Sequence, residues 1–385
     1  MHIAMNGWFL DRPHTGSGQY ARRLVEALLA LADRPRLALV VPEGMALNAP
    51  PGTHLERVSM PGGLGGHLAK VWFEQVGFPR ACARLGADVA HVPYWGGPLR
   101  SPLPLVVTIH DLIPLLLPAY RGGALARLYT GLVAAAARGA AGVLTDSEAS
   151  RADIIHHLGI AGERVRTVYL AAGPEYAARG GGSPVDQAIE KGVREKYGLG
   201  EWYVLYLGGF DARKNLDTLL RAYTFVLDGV GDYFPLALAG RMPERGSARF
   251  PDVRGMLKRY GLVEGREVLL TGEVAEADKP SLYRGAACFV YPSRYEGFGL
   301  PPLEAMACGT PVVAAEAASV PEVVGDGGYL VPPDDARKMA GAILAVLVQE
   351  ELAEDLRRKG LAQARRFSWE RTAKETLEVL RRVGG

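Results

Sequence analysis

The stretch Tyr295-Glu-Gly-Phe-Gly-Leu-Pro-Pro-Leu-Glu-Ala-Met-Ala-Cys-Gly-Thr-Pro311 is the most informative part of the chain. It follows an apolar run at residues 287–291, whose composition is typical of a buried parallel strand. A glycine-rich turn and a short helical segment come next, an order that directs backbone N–H groups and a helix dipole at an anion. Glu296 and Glu304 flank the turn. The stretch therefore predicts a site for a phosphate-bearing ligand with hydroxyl groups on both sides.

The size and composition of the chain indicate a globular protein of two domains. It has 385 residues, of which 48% are hydrophobic and 22% are charged, as in ordinary folded proteins. The net charge of the chain is only +2, whereas nucleic-acid-binding proteins carry concentrated basic charge. We therefore expect no nucleic-acid partner. Cys82, Cys288 and Cys308 are widely spaced, which predicts buried free thiols in a reducing compartment and no metal site. Because no apolar run approaches roughly 18–20 residues, we expect a cytoplasmic protein.

Strand-like apolar runs alternate with segments of helical periodicity in both halves of the chain. The predicted strands are 2–9, 37–41, 87–92, 105–109, 142–145, 165–170, 202–207, 236–239, 267–270, 288–291, 311–314 and 328–331. This alternation predicts right-handed βαβ units and an α/β fold with doubly wound parallel sheets. Ala171-Ala-Gly-Pro174 predicts a hinge, and Arg179-Gly-Gly-Gly-Ser-Pro184 predicts a mobile surface loop. We therefore expect two similar domains, 1–173 and 174–367, with ligand loops beyond the carboxyl ends of their strands and across one cleft.

Two loops of the first half are candidate ligand-facing loops. Gly16-Ser-Gly18 precedes a helix and allows close backbone approach to a phosphate or a sugar. A dinucleotide site is the weaker interpretation, because the loop is long and no suitably placed acid follows. His110-Asp111 ends an apolar strand, where a site residue belongs. The alternative, that Asp111 caps a turn and His110 merely bonds to it, stays open.

Arg213 and Lys214 lie beside a predicted helix N-terminus in the second half. The helix dipole disfavours cations there unless an anion is present, so a bound diphosphate is one interpretation and two solvated cations the other. Glu296 and Glu304 do not suit a glycosidase pair. On a continuous helix their backbones would be about 12 Å apart, whereas glycosidase carboxyl groups are roughly 5–9.5 Å apart.

Taken together, these motifs resemble the retaining GT-B glycosyltransferases of family four, the "glycosyl transferases group 1" type, which include bacterial mannosyltransferases. Glu296 and Glu304 have the Glu-x7-Glu spacing of that family. The supporting motifs are Gly16-Ser-Gly18, Thr108-Ile-His-Asp111, Gly208-Gly209 with Arg213-Lys-Asn215, and Pro321-Glu-Val-Val324. The resemblance implies two Rossmann-like domains that face each other across a cleft, with a C-terminal helix (368–385) crossing back toward the first domain. Phe210 is a departure, because many relatives carry Arg near this position.

The resemblance also implies a role for each motif in binding a nucleotide-sugar donor and an acceptor. Glu304 should accept hydrogen bonds from the ribose, Glu296 should contact the donor sugar, and His110 should lie near the transferred sugar. Arg213 and Lys214 should hold the diphosphate. The cleft and the rest of the donor site should involve Gly16, Gly18, Gly209, Val274, Glu276, Gly297, Phe298, Gly299 and Leu300.

The function implied is retaining, metal-independent transfer of a hexose to a saccharide or lipid-linked acceptor in polysaccharide or glycolipid biosynthesis, without a cofactor. Glu276 could accept from guanine, which favours GDP-mannose as donor, although an ordinary exposed acid is the alternative. A UDP-sugar donor, a phosphorylase or epimerase, and a non-catalytic nucleotide-sugar-binding protein are the other interpretations. Basic and aromatic residues between 64 and 84, including Lys70, Trp72 and Phe73, predict at most a weak peripheral contact with the inner face of the membrane.

Overall fold

A computed structural model describes residues 1–63, 65–178, 184–243 and 246–385. It divides into two compact units. Unit 1 comprises Met1–Leu170 and Ser368–Gly385, and unit 2 comprises Ala171–Phe367. The division at residue 170 precedes the predicted boundary at 173. Most of the surface loop predicted at 179–184 lies outside the described residues.

The described part of unit 1 contains a seven-stranded parallel sheet in the order β3-β2-β1-β4-β5-β6-β7. Its strands are β1 His2–Asn6, β2 Arg36–Pro42, β3 Thr53–Val58, β4 Val89–Val92, β5 Leu105–Thr108, β6 Gly142–Thr145 and β7 Val165–Thr167. β4, β5 and β6 are buried along their whole length, as expected of a parallel sheet covered on both faces. The edge strand β3 was not predicted, because its sequence Thr-His-Leu-Glu-Arg-Val is half-exposed and largely polar.

Helices cover this sheet. They are α1 Gly16–Ala30, α2 Gly66–Trp72, α3 Phe78–Leu85, α4 Ile113–Leu116, α5 Ala124–Gly139 and α6 Glu148–Leu158. A π-helical turn, Phe73–Gly77, joins α2 to α3. Thr15 caps α1 and Ser147 caps α6, each accepting a backbone N–H in the first turn.

The described part of unit 2 contains a six-stranded parallel sheet in the order β10-β9-β8-β11-β12-β13. Its strands are β8 Val204–Leu207, β9 Leu236–Ala239, β10 Val268–Gly272, β11 Cys288–Tyr291, β12 Val312–Ala315 and β13 Tyr329–Val331. All six coincide with predicted strands, because each is a short apolar run between turn residues.

The helices of unit 2 are α7 Pro184–Lys196, α8 Leu216–Val230, α9 Val253–Tyr260, α10 Lys279–Gly285, α11 Leu300–Ala307, α12 Val320–Val324, α13 Ala336–Val348 and α14 Glu350–Ala364. The last helix of the chain, α15 Trp369–Gly384, belongs to unit 1. It buries Ala373, Leu377 and Leu380 against that unit, and Thr372 donates to the carbonyl of Tyr169 at 2.7 Å.

Both sheets reverse their strand order at one position. In unit 1 this occurs between β1 and β4, and in unit 2 between β8 and β11. Such a reversal opens a crevice beyond the carboxyl ends of the two strands, and ligands of open α/β sheets bind there. We call these positions the unit 1 and unit 2 switch points. The predicted α/β fold with two doubly wound parallel sheets is confirmed.

Candidate active site

Four charged side chains meet at the unit 2 switch point. Lys214 Nζ donates to Glu296 Oε1 at 2.6 Å and to the hydroxyl of Tyr291 at 3.1 Å. Arg213 forms a short ion pair with the other oxygen of Glu296, and its Nε lies 3.1 Å from a carboxylate oxygen of Asp211. The side chain of Ser293 also donates to Glu296. Two cations and two carboxylates therefore form one cluster between the loops that follow β8 and β11.

The backbone around Asn215 fixes this cluster. Asn215 adopts a left-handed conformation with φ of 57°, which a non-glycine residue adopts at some cost. Its amide donates to the carbonyl of Pro292 at 3.0 Å and to that of Pro333 at 2.6 Å. The N–H of Arg294 donates to the carbonyl of Arg213 at 2.8 Å. These bonds hold the loop after β8 against the loop after β11.

Glu296 is ionised in this environment. Burial to 9% exposure would by itself raise its pKa, but the charges of Lys214 and Arg213 outweigh burial and lower the pKa to about 2. A bound phosphate was one predicted source of negative charge beside these two cations. Asp211 and Glu296 supply negative charge there within the protein. The interpretation of Arg213 and Lys214 as two solvated cations is wrong for Lys214, which is 6% exposed.

The glycine turn leads from Glu296 into α11. Ser319 donates to the backbone carbonyls of Glu296 and Phe298, which fixes the turn. Gly299 has a φ of 126°, a conformation that side chains rarely adopt. Because Pro301 and Pro302 have no N–H, the first turn of α11 can offer an anion only the N–H groups that precede them. Phe298 is buried, so its predicted contribution is limited to its backbone.

Glu304 lies in the middle of α11, at the other end of the predicted donor site. Burial raises its pKa to about 7, although the nearby ammonium of Lys279 and a hydrogen bond from Tyr283 act in the opposite direction. Tyr283 donates that bond at 3.0 Å. The ring of Tyr176 lies 6.0 Å from the ring of Tyr283. The sequence interpretation missed these two tyrosines.

Glu276 lies near Glu304 but is paired with a cation. Its carboxylate accepts a 2.6 Å hydrogen bond from Lys279, and 52% of its side chain is exposed. Val274, in the same loop after β10, is buried. The structure thus groups Glu276, Lys279 and Glu304, whose charges influence one another. Recognition of a base by Glu276 stays a prediction.

In unit 1, His110 pairs with an acid that the sequence interpretation missed. His110 Nδ1 lies 2.7 Å from Asp146 Oδ2. Burial lowers the pKa of His110, but the carboxylate of Asp146 outweighs it, and the net pKa is raised. Asp111 accepts from the N–H of Ile113 at 2.9 Å, so it does cap the following turn. One signal for this pair was available in the sequence. His110 follows β5 and Asp146 follows β6, and these two strands are neighbours in the sheet.

The two glycines of the β1–α1 loop have different roles. Both lie in the first turn of α1, which begins earlier than predicted. A Cβ at Gly18 would lie 2.0 Å from the carbonyl oxygen of Arg12, whereas a Cβ at Gly16 would meet no atom within 4 Å. Gly18 is therefore required for packing of the loop. Whether either glycine contacts a ligand stays a prediction.

The predicted site residues thus fall into local groups. In unit 2 the structure brings Arg213, Lys214 and Glu296 together, with Gly297, Gly299 and Leu300 in the adjoining turn. Gly209 is exposed beside them, and Phe210 is 1% exposed in the hydrophobic core. His110, Gly16 and Gly18 belong to unit 1. Their roles in binding stay predictions.

Comparison with known proteins identifies the family. The model of "Glycosyltransferase Family 4" matches residues 14–174, and the model of "Glycosyl transferases group 1" matches residues 201–349. The chain is 37% identical over 275 residues to the O-antigen chain mannosyltransferase B of Escherichia coli. The matched region covers 71% of this chain and 69% of that protein. The chain belongs to the group 1 glycosyltransferases. The resemblance drawn from the sequence is confirmed.

This group 1 glycosyltransferase is also similar to a second mannosyltransferase in sequence and to a sucrose-phosphate synthase in structure. The serotype-specific mannosyltransferase WbdA of Escherichia coli is 30% identical over 73% of this chain, but the match spans only 34% of WbdA. Sucrose-phosphate synthase from Thermosynechococcus elongatus has the same fold, with a TM-score of 0.76 and 23% identity over 99% of this chain and 98% of that one. Structural neighbours of this kind are GT-B proteins, which confirms the predicted fold class.

Three further features concern acidic and histidine clusters, helix length and the cysteines. Within the described ranges, no cluster of three or more His, Cys, Asp or Glu side chains is arranged to hold a metal ion. Among the helices that the structure describes, none is long and apolar enough to cross a bilayer. Cys82, Cys288 and Cys308 are buried free thiols, as predicted.

Proposed function

We propose that this glycosyltransferase transfers mannose from GDP-mannose to a saccharide or lipid-linked acceptor, with retention of the anomeric configuration and without a metal. The observation that carries the proposal is the buried cluster of Lys214, Arg213 and Glu296 at the unit 2 switch point. Similarity to two mannosyltransferases supports mannose as the transferred sugar.

The donor would lie along the stretch from Glu304 to Glu296. Glu304, ionised, accepts hydrogen bonds from the ribose hydroxyls. The diphosphate contacts Arg213, Lys214 and the N–H groups at the start of α11, where the helix dipole also favours negative charge. Glu296 then contacts hydroxyl groups of the mannose. This assignment gives each of the two acids one end of the donor.

Chemistry at this site requires stabilisation of a leaving group. The bond between the anomeric carbon and the diphosphate oxygen breaks, and the electron pair stays on that oxygen. Lys214 and Arg213 stabilise the developing charge from fixed positions, because they are already held by Glu296, Asp211 and Tyr291. The acceptor hydroxyl bonds to the same face of the sugar, and its proton passes to the departing phosphate oxygen. No protein nucleophile is needed for this sequence of events.

Guanine recognition would use the group around Lys279. The carboxylate of Glu276 can accept from the N1–H and amino group of guanine, whereas uracil offers a single imide N–H. The ion pair with Lys279 would have to rearrange or share the carboxylate. An affinity for GDP well above that for UDP is therefore expected.

Peripheral contact with the membrane would be weak. Phe73 is 0% exposed and belongs to the core of unit 1, so it is not available to lipid. Lys70 is engaged by Tyr129 within the protein. We therefore expect binding to anionic liposomes, if measured by sedimentation, to be slight and to disappear with added salt.

One experiment tests the proposal directly. The full chain is incubated with GDP-mannose or UDP-glucose and with mannotriose as acceptor, with and without EDTA. We expect GDP release and an α-linked product by NMR, unaffected by EDTA, with little turnover of UDP-glucose. As a matched pair, Glu296→Gln should abolish turnover and the exposed Lys338→Met should not. Absence of donor binding and turnover would overturn the proposal. Tight binding of GDP-mannose without turnover across a panel of glycans would instead favour a non-catalytic binding protein.

A further inference from the structure

A cavity of about 390 Å³ lies along β7, the strand at one edge of the unit 1 sheet. We call it the edge cavity; its walls are α6, residues 162–169 and α15, all within unit 1. Small-molecule sites have volumes of roughly 300–1,000 Å³, so it is large enough for a small metabolite. β7 lies three strands from β4 in the sheet order, so the edge cavity is separate from the unit 1 switch point. None of its residues belongs to the donor site proposed above.

Arg151 of α6 forms a fixed wall of the edge cavity. Its Nε donates to the carbonyl of Val165 at 3.0 Å, and its Nη2 donates to that of Gly162 at 2.9 Å. Its Nη1 lies 3.7 Å from a carboxylate oxygen of Glu148. These contacts hold α6 against the start of β7. The wall is therefore rigid, and the charge of Arg151 is compensated within the protein.

The other charges of the edge cavity do not balance. On α15, Arg371 donates to Glu375 at 2.8 Å, and this pair is neutral. Arg382 lies on the same side of α15, because about three full helical turns separate it from Arg371. In the described ranges, Arg382 and Arg166 have no ion-pair partner, and neither has Glu163. The edge cavity thus has two uncompensated arginines and one uncompensated carboxylate.

These uncompensated groups define the chemistry of a ligand. The planar guanidinium groups of Arg166 and Arg382 match the oxygens of a phosphate, which arginine binds in a bidentate manner. Glu163 repels a bare anion, but it accepts hydrogen bonds from hydroxyl groups. A ligand that carries both a phosphate and hydroxyl groups satisfies all three. Because these side chains are exposed, such a ligand can reach them without displacing buried groups.

The edge cavity also adjoins the two places where the chain passes between the units. The chain leaves unit 1 after Leu170 and returns to it at Ser368. Tyr169 and Arg371 line the cavity beside these two crossings. Thr372 donates to the carbonyl of Tyr169 at 2.7 Å, which joins the two segments. A ligand in the edge cavity would therefore contact both of them.

We propose that the edge cavity is a second ligand site, and that it binds a phosphate ester of a small hydroxylated molecule such as a sugar phosphate. The phosphate contacts Arg166 and Arg382, and the hydroxyl groups contact Glu163. The bound ligand restrains the two crossing segments, 167–170 and 368–372. Binding requires neither turnover nor a nucleotide sugar, so the edge cavity takes its ligand whether or not the donor site acts as proposed.

Calorimetry of the full chain at low salt tests the ligand class, with mannose 6-phosphate, inorganic phosphate and mannose as separate probes. We expect mannose 6-phosphate to bind most tightly, inorganic phosphate more weakly, and mannose not measurably. Arg166→Met and Arg382→Met should each weaken binding of mannose 6-phosphate by about three- to tenfold, because each removes one exposed charge-assisted contact. Glu163→Gln should tighten binding of inorganic phosphate by about two- to fivefold, because it removes a repulsion.

Two control variants and a second measurement locate the bound phosphate. Arg34→Met removes an exposed arginine of unit 1 outside the edge cavity and should leave the affinity for mannose 6-phosphate unchanged. Lys214→Met removes a cation of the donor cluster and should also leave it unchanged. Mannose 6-phosphate should slow hydrogen exchange in segments 167–170 and 368–372 of the wild type. The double variant with Arg166→Met and Arg382→Met should lose this protection.

Three results would overturn the edge cavity as a site for phosphate esters. The first is no binding of mannose 6-phosphate at low salt. The second is binding that falls with Lys214→Met but not with Arg166→Met or Arg382→Met, which would place the phosphate at the donor cluster. The third is mannose or inorganic phosphate binding as tightly as mannose 6-phosphate. Unchanged hydrogen exchange in both segments would overturn the restraint on the crossings. If GDP-mannose is not turned over while binding of mannose 6-phosphate depends on Arg166, the proposed function fails and the edge cavity stands.

Discussion

The two switch points of this glycosyltransferase have the same strand arrangement and different chemistry. At the unit 2 switch point, Arg213 and Lys214 converge on Glu296, and Lys214 Nζ lies 5.0 Å from the ring centroid of Tyr291. At the unit 1 switch point, Lys70 and Glu74 form a single pair inside a group of aromatic rings. Sheet topology therefore determines where a ligand can bind, and the side chains of the loops determine its charge and polarity.

The two buried acids show the same difference in their titration. Glu296 has two cationic partners, and its pKa is lowered to about 2 in spite of burial. Glu74 has one, and burial raises its pKa. The number of cations beside each buried carboxylate therefore decides whether its pKa falls or rises.

The largest expected effect is a difference in kcat between variants that remove the ammonium group of Lys214 and variants that remove that of Lys70. Lys214→Met should lower kcat with GDP-mannose by about 10²–10³-fold, because a preorganised charge next to the leaving group is lost. Lys70→Met, which removes the ammonium of the unit 1 cluster, should lower kcat by less than about threefold. Steady-state kinetics with both substrates varied makes the measurement, and Lys338→Met is the unit 2 control. A fall in kcat of less than about threefold for Lys214→Met would contradict its role at the leaving group.

A smaller effect concerns the loop that shapes the unit 1 switch point. Gly18→Ala would place a Cβ 2.0 Å from the carbonyl oxygen of Arg12. We expect the free energy of unfolding of unit 1 to fall by about 1–3 kcal/mol, as in other overpacked sites. Gly16→Ala, with no atom within 4 Å of the new Cβ, should change it by less than about 0.5 kcal/mol. Urea unfolding measures the free energy of unfolding of both variants. Equal values would show that the β1–α1 loop can shift to accommodate the Cβ at position 18.

The pH dependence of GDP-mannose binding tests the proposed role of Glu304 at the ribose. Burial raises its pKa to about 7, and ribose hydroxyls need the ionised form as acceptor. Affinity for GDP-mannose should therefore rise with pH and level off above 7, with binding at pH 6 about tenfold weaker than at pH 8. GDP-mannose is the suitable ligand because its diphosphate does not titrate in this range. Glu304→Gln should flatten the profile, and an unchanged slope in that variant would assign the titration to another group.

The smallest effect concerns His110. The carboxylate of Asp146 raises the folded-state pKa of His110 above its unfolded value. The pairing of protonated His110 with Asp146 therefore stabilises the folded protein fully below about pH 6.5. This stabilisation is lost as the pH rises through the folded-state pKa of His110. Asp146→Asn, which keeps an acceptor for Nδ1–H, should destabilise the protein by about 0.5–1 kcal/mol at pH 5.5 and by less at pH 9. Urea unfolding at both pH values measures this, and a larger loss at pH 9 would be contrary to the pairing.

The sequence predicted most of both sheets, because strands depend on local patterns. Apolar runs between turn residues identified every strand of unit 2, and the Glu-x7-Glu spacing located Glu296 and Glu304. The edge strand β3 was missed because only part of it is buried.

The contacts in unit 1 could not be predicted in the same way. His110 and Asp146 are 36 residues apart, and Lys70 and Tyr129 are 59 apart. The first pair joins segments that follow two neighbouring strands, and the second joins helices α2 and α5, so both depend on the tertiary fold. Gly18 was interpreted as ligand-facing, which stays a prediction, and its close packing against Arg12 is a second reason for a glycine there. A local motif cannot distinguish these two causes.

The placement of α15 has a consequence for how the chain is made. Residues 1–170 of unit 1 are translated before unit 2, yet α15, which follows unit 2, supplies part of the core of unit 1, and Arg381 donates to Asp33 at 2.7 Å. During synthesis the N-terminal unit must therefore wait, with an apolar surface uncovered, while the 197 residues of unit 2, 171–367, are translated. At about 5–20 residues per second this interval lasts roughly 10–40 s. Nascent chains stalled before residue 369 should bind chaperones and be cleaved by protease in unit 1, and chains that include α15 should resist.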